Sequence, residues 1–434
     1  MSARFYLPGI AFALLLLSGA VPVAAAEPPV LRQLLAEADS NPALGAAREQ
    51  IAVSRARVPQ LTSLDDPVLS LALLNYPIDG FNSSDTPMTG TEIRLAQKFP
   101  FPGKLATRGQ VAEEQSKWQA AVYQDARLQT RRQVKDAWYR LLFQRRAIEL
   151  TQRNLELLGD FITLTETRYA VGKGLQQNVL KAQLERSKQQ DKLLSLQQQK
   201  AATRAELNSL AGQPTERELD IDSELQGVTE QFELARLNQQ AEQNRPMLNA
   251  YSALIEQYQG KRRLAKLDER PDFNVWAGYR WRDNGLPDEG TDFISAGVSF
   301  NLPVRRERTR AAVAEADSGL RLAYQQRGDF LNQTRLTIHR ALIRLQEAKR
   351  LDELYRNGVL PQAEQTFQAT LSAYQVDKVD FLDLLDALMS LYRYQIDAAR
   401  MLRDQQRSRA EIEAAAGLEV EILEQNRLDS QAKG

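Results

Sequence analysis

The two halves of this chain repeat one another. Sliding the sequence along itself by about 204 positions lays Asn41-Pro42 on Arg245-Pro246 and Leu64-Asp65-Asp66-Pro67 on Leu267-Asp268-Glu269-Arg270-Pro271. Phe99-Pro100-Phe101-Pro102 falls on Phe300-Asn301-Leu302-Pro303, and Glu206 to Gly212 falls on Glu411 to Gly417. The 408 residues beyond the first 26 are twice 204, so the duplication fills the chain after its N-terminal segment. A period this long exceeds that of solenoid repeats and marks two copies of one large supersecondary unit. The repeats are expected at 27–230 and 231–434.

The first 26 residues read as an export signal. Arg4 supplies a positive start, Ile10 to Leu17 form a short apolar run, and Ala24-Ala25-Ala26 offers a cleavage site before Glu27. Pro8 and Pro22 close the stretch too soon for an uncleaved spanning anchor. No later apolar run approaches the length of a spanning helix, so the mature chain is either soluble outside the cytoplasm or enters a membrane as strands.

Composition narrows the function classes. The 56 Lys+Arg balance 56 Asp+Glu, against the basic excess of a nucleic-acid binder. Absence of cysteine rules out disulfides, Cys-based zinc sites, a thiol nucleophile and a lipidated N-terminal Cys. With one histidine and no Gly-rich phosphate loop or nucleophile elbow, no enzyme, cofactor or metal site is expected.

Each repeat has the same internal order. A first helical stretch (about 30–62, then about 231–267) is followed by Pro67 or Pro271 and two strand candidates, expected at about 67–78 and 90–101 and at about 271–282 and 291–302. Phe273, Val275, Ala277, Tyr279 and Trp281 alternate with Asn274, Trp276, Gly278, Arg280 and Arg282. Ile93, Leu95 and Phe99 alternate with Glu92, Arg94 and Lys98, with Gln97 an exception on the apolar side. Such alternation is a strand signal.

Long helical hairpins are expected next, at about 104–211 and 304–416. The stretch from 104 to about 171 holds no proline and only Gly109 and Gly159, and one helix there would be roughly 100 Å long. Ile338, Ala341, Leu345 and Ala348, and on the return helix Leu384, Leu388, Leu391, Ala398 and Leu402, give coiled-coil-like seams, with polar Gln395 filling one position. Four amphipathic strands cannot cross a membrane alone, because their outer edges would leave unpaired backbone groups in hydrocarbon. Closure takes about eight strands or more, so transmembrane strands require an oligomer. The plainer reading is a small soluble sheet beside a coiled coil.

The chain resembles the TolC superfamily of outer-membrane efflux proteins. The resemblance rests on the strand-to-helix junctions Phe99-Pro100-Phe101-Pro102-Gly103 and Phe300-Asn301-Leu302-Pro303. It rests also on the turn motifs Arg168-Tyr169-Ala170-Val171-Gly172-Lys173-Gly174 and Ala373-Tyr374-Gln375-Val376-Asp377-Lys378, and on Asp383-Leu384-Leu385-Asp386-Ala387. Asp66-Pro67 and Gln97 to Lys104 are similar to the heavy-metal branch. The resemblance implies a mainly α protein with a transmembrane β-barrel: a homotrimer with twelve strands in the outer membrane and an α-helical periplasmic tunnel. It implies a periplasmic adaptor and an inner-membrane pump of the RND class as partners, and heavy-metal cations as leading cargo. Multidrug efflux or type I secretion is the alternative within the class, and a soluble periplasmic scaffold the alternative outside it. Residues 212–230 and the tail from about Leu418 would lie near the middle of the tunnel.

Candidate site residues follow. The spacing of Asp383 and Asp386 puts both carboxylates on nearly one helix face, and the resemblance places them inside the periplasmic tip, where three copies would form two acidic rings that favour cations. The alternative is an acidic first turn stabilised by its helix dipole, which applies equally to Asp380. The first repeat has Asn178 and Lys181 at the matching positions. By the same resemblance Tyr169, Gly172, Lys173, Gly174, Tyr374, Asp377 and Lys378 meet the adaptor at the tip, unless these turns are purely structural. Gly172 and Gly174 suit a tight turn; Asp377 and Val379 replace them in the second repeat, so the two turns are expected to differ in backbone. His339 lacks a second imidazole or thiol, and Met88, Met247, Met389 and Met401 are scattered. Arg305-Arg306-Glu307-Arg308 reads as a solvated junction.

Overall fold

The computed structural model describes residues 27–286 and 289–418. The export signal and the tail beyond Leu418 lie outside the described residues. Element order repeats: a pair of helices, a strand hairpin, a long helix and its return. In the first half these are α1 (Pro29–Ala38), α2 (Pro42–Thr62), β1 (Val68–Leu74), β2 (Gly90–Phe99), α3 (Lys104–Ala170) and α4 (Gln176–Leu210). In the second they are α5 (Leu234–Asn244), α6 (Pro246–Leu267), β3 (Phe273–Trp281), β4 (Phe293–Phe300), α7 (Arg306–Leu354), α8 (Leu360–Gln375) and α9 (Phe381–Ala416). None of the described helices is long and apolar enough to cross a membrane.

The first helical stretch of each repeat is broken in two, at equivalent points. Pro42 and Pro246 each open a second helix, because proline disfavours helical backbone at the residue before it and has no N–H to give. The residues before them repeat a tertiary bond. Asn41 Nδ2 donates to the carbonyls of Ser209 and Leu210 at 3.1 and 2.9 Å, and Arg245 Nη1 donates to that of Ala414. Two unlike side chains thus donate to the terminal carbonyls of the return helices.

Strands are shorter than alternation alone indicates. β1 stops at Leu74, where Asn75 takes φ 55° and Pro77 follows; β2 stops before Pro100 and β4 before Pro303. The four strands form one antiparallel sheet in sequence order, with β2 joined to β3 across the repeat boundary.

α3 runs unbroken for 67 residues, about 100 Å. Its counterpart does not. A π-turn at Tyr355–Val359 separates α7 from α8. Pro361 explains it: a proline ring inside a helix clashes with the carbonyl four residues back and removes one hydrogen bond, and a wider turn accommodates both.

Three cores hold the stalk. α1 lays Leu31, Leu34, Leu35 and Ala38 on Trp138, Leu141 and Leu207 of the first hairpin. α5 lays Leu237 and Ala241 on Ile338, Ala341, Leu345 and Ile412 of the second. Each large side chain buried there stabilises by about 1.5–3 kcal/mol. Residues 219–230 cross the hairpins near mid-length: Leu219, Ile221 and Leu225 pack on the first core, and Val228 N–H donates to Gln405 Oε1 at 2.9 Å. The third core lies toward the turns, where Leu158 and Phe161 of α3 meet Phe367, Tyr374, Phe381, Leu384 and Leu388.

Candidate functional site

The sheet has two chemically distinct walls. Register places Leu69, Leu71, Ile93, Leu95, Val275, Ala277, Tyr279, Ile294, Ala296 and Val298 on one face. These are bare in the single chain: Leu71 is 70% and Ile294 81% exposed. The opposite face carries Ser70, Glu92, Arg94, Lys98, Asn274, Arg280, Ser295 and Ser299. Glu92, its side chain only 5% exposed, sits between Arg94 Nη2 at 2.8 Å and Arg280 Nη2 at 3.4 Å. The Arg94 guanidinium also lies 4.0 Å above the Trp276 ring. Gly297 makes room for that ring, since a Cβ there would lie 2.8 Å from Trp276 Cε2. β1 and β4 each have one unpaired edge.

The sheet is coupled rigidly to the stalk. Lys104, buried at the start of α3, donates to Asp272 Oδ1 at 2.8 Å and to the Arg270 carbonyl at 3.1 Å. Asp272 Oδ1 also accepts from Phe101 N–H at 2.9 Å, so the junction of the first repeat is pinned to the first strand of the second.

At the other end, the two hairpin turns close identically. Lys173 N–H reaches the Arg168 carbonyl at 2.8 Å and Gly172 N–H reaches Tyr169 at 3.0 Å. Lys378 N–H reaches Ala373 at 2.9 Å and Asp377 N–H reaches Tyr374 at 3.2 Å. Both are Schellman closures, with Gly172 at φ 74° and Asp377 at φ 58°. The expected difference in backbone is therefore corrected: Asp377 adopts the left-handed conformation that short polar side chains tolerate. Arg168 ties the turns together. It pairs with Asp377, donates to the Tyr374 carbonyl at 3.1 Å, and stacks 4.4 Å from the Tyr374 ring. Burial pushes the Tyr374 hydroxyl above its ordinary pKa, with Arg168 pulling the other way.

Asp383 and Asp386 lie near the start of α9, both exposed, flanking the buried Leu384 and Leu385. Asp380 precedes the helix without a side-chain capping bond. Tyr169, Lys173, Asp377 and Lys378 are exposed around the two turns, while Tyr374 is buried among the tip aromatics. His339 is exposed on α7, and no cluster of metal-ligating side chains occurs among the described residues. The reach of Arg168 across the tip has no local signal in the sequence. Glu92, Arg94 and Arg280 were placed by alternation on polar faces, but their meeting depends on a β2–β3 register between residues nearly 190 positions apart.

A sequence profile describing outer membrane efflux proteins matches residues 33–213 and again residues 237–418. The chain belongs to the outer membrane efflux protein family. The family places the chain in the outer membrane, and solved outer-membrane channels share its fold. The cobalt-zinc-cadmium resistance protein CzcC of Cupriavidus metallidurans is 22% identical over 298 residues, covering 68% of this chain and 69% of CzcC. The outer membrane protein VceC of Vibrio cholerae superposes with a TM-score of 0.76 at 20% identity, over 89% of this chain and 96% of its own. CusC, solved in work on transmembrane channel formation, gives 0.74 at 15% identity, over 89% and 92%.

Proposed function

We propose that this efflux-family channel is the passive exit duct of a tripartite system, receiving cargo from an inner-membrane RND pump through a periplasmic adaptor. The observation that carries this reading is the open four-stranded sheet, apolar on one wall and charged on the other, joined to a helix of about 100 Å. Its two raw edges require other copies in lipid, and three copies would close twelve strands, within the size range of outer-membrane barrels. In that arrangement residues 27–230 and 231–434 act as two tandem repeats.

Heavy-metal cations are the proposed cargo. Support comes from the name of CzcC and from the exposed pair Asp383 and Asp386, whose threefold rings would favour cations. Tyr169, Gly172, Lys173, Gly174, Asp377 and Lys378 form the surface offered to the adaptor, with Tyr374 buried beneath it as part of the tip core. The test is ion selectivity in planar bilayers, paired with metal and drug tolerance of a deletion strain. Cation-preferring pores whose preference falls in Asp383→Asn with Asp386→Asn support the reading. Unchanged selectivity rejects the acidic rings, and no pore at all rejects the duct.

A further inference from the structure

We infer that the barrel section carries a wall that prefers anions, set by Arg94, Lys98 and Arg280. The inference rests on the duct reading, because it needs the polar face of the sheet to line water.

Register organises this face into rungs. Ala72, Glu92, Arg280 and Phe293 share one rung; Ser70, Arg94, Gly278 and Ser295 share the next; Lys98, Asn274 and Ser299 share another nearer the stalk. Three cations thus stand on the polar wall against a single carboxylate, Glu92. That carboxylate is spent locally, nearly buried between the two guanidiniums it neutralises in part. Lys98 is exposed and makes no ion pair among the described residues. The excess is two positive charges per chain, hence six around a closed trimer. The other positions of these rungs are small or uncharged, so no acidic side chain on the strands offsets them. Carboxylates do flank the wall: Asp79, Asp85, Asp283, Glu289 and Asp292 lie in the outer turns with Arg282, and Asp65, Asp66, Asp268, Glu269 and Asp272 lie toward the stalk. Asp272, next to the Lys98 rung and within electrostatic reach of Lys98, is paired with Lys104 at 2.8 Å; the others stand beyond the strands, where water screens charges over about 10 Å.

Arg94 is also held in place. It stacks on Trp276, and Gly297 on β4 leaves the space that ring occupies. A charge fixed on a rigid wall acts on passing ions without first being ordered, as rings of basic side chains do in anion-selective pores. Small anions such as chloride or phosphate are the class of solute favoured here. Cation preference set at the tip would be opposed at the barrel, so the two sections make separate contributions to what leaves.

The natural absence of cysteine makes the test direct. Ser295→Cys reports on the Arg94 rung and Ser299→Cys on the Lys98 rung. Each full-length variant, in outer-membrane vesicles, is reacted with an anionic methanethiosulfonate (ethylsulfonate) and a cationic one (ethyltrimethylammonium), with rates referred to free cysteine. The expected result is a shift on the order of tenfold toward the anionic reagent, reduced severalfold by Lys98→Glu at Ser299→Cys and by Arg94→Gln at Ser295→Cys. Lys98→Glu touches no ion pair, so it remains informative if Arg94→Gln impairs folding. A ratio equal to that of free cysteine, or unmoved by these substitutions, overturns the anion-preferring wall while leaving the duct intact. Labelling only by a lipid-soluble maleimide shows that this face meets lipid, and overturns the duct reading as well.

Discussion

Placing one positive charge on the apolar wall of the sheet tests the membrane assignment most sharply. Ala277 is the fifth of nine residues in β3 and faces Leu95 on one side and Ala296 on the other. Four residues at about 3.3 Å each, tilted by about 40°, place it roughly 10 Å from either strand end along the membrane normal. Half of an apolar band about 25 Å tall is close to that figure, so Ala277 lies near the midplane. Ala277→Arg should therefore cost about 2–4 kcal/mol per chain, or about 6–12 kcal/mol for three copies. Val275→Arg, two residues nearer the stalk, should cost less, and Ser299→Arg on the polar wall should cost little. Urea titration of folding into lipid vesicles, read by heat-modifiable electrophoretic mobility, gives the comparison. Equal midpoints for Ala277→Arg and Ser299→Arg would refute the assignment of the two walls.

At the tip, Arg168→Ala should loosen the connection between the turns by about 1–2 kcal/mol, summing an exposed ion pair and a stacked cation; limited proteolysis at residues 171–174 and 376–379 should rise. Asp377→Gly should keep the turn, since glycine relieves the left-handed backbone, but it loses the ion pair with Arg168, so proteolysis should rise less than in Arg168→Ala. Within the stalk, Gly319→Val should lower the thermal midpoint by overpacking worth about 1–3 kcal/mol, because any Cβ there meets the Tyr258 ring. Gly328→Ala, with open space around it, should raise stability by about 0.5–1 kcal/mol. Burial pushes the Tyr139 hydroxyl up to about 12. The unfolded chain therefore ionises first, near 10, and stability is lost as pH rises from 10 toward 12. Tyr139→Phe should show a smaller decline, since Tyr374 and Tyr392 are also raised by burial, and denaturant midpoints at pH 9 and 11 measure the difference.

Much of this fold is legible along the chain because its devices are local. Pro42 and Pro246 announce helix starts, Pro100 and Pro303 end strands, and alternation around Val275 and Leu95 separates the two walls before any partner is known. The unforeseen features are non-local or depend on an unusual conformation of an ordinary residue. Residue type at position 377 argues for a turn unlike that at 172, yet the helix end imposes the same closure on both. Pro361 marks a disturbance inside a helix without saying whether it kinks, stops or widens it. The meeting of Glu92 with Arg280 follows from register across the repeat boundary, and register is fixed by pairing energies summed over whole strands.

The unpaired margins of β1 and β4 also say something about how such a molecule comes into being. Two copies side by side would still expose two raw borders, just as one does, and gain nothing toward a sealed ring. Only the last arrival removes both at once. Formation of the complete cylinder and its lodging in lipid should accordingly be a single cooperative event, with half-built assemblies scarce at every concentration.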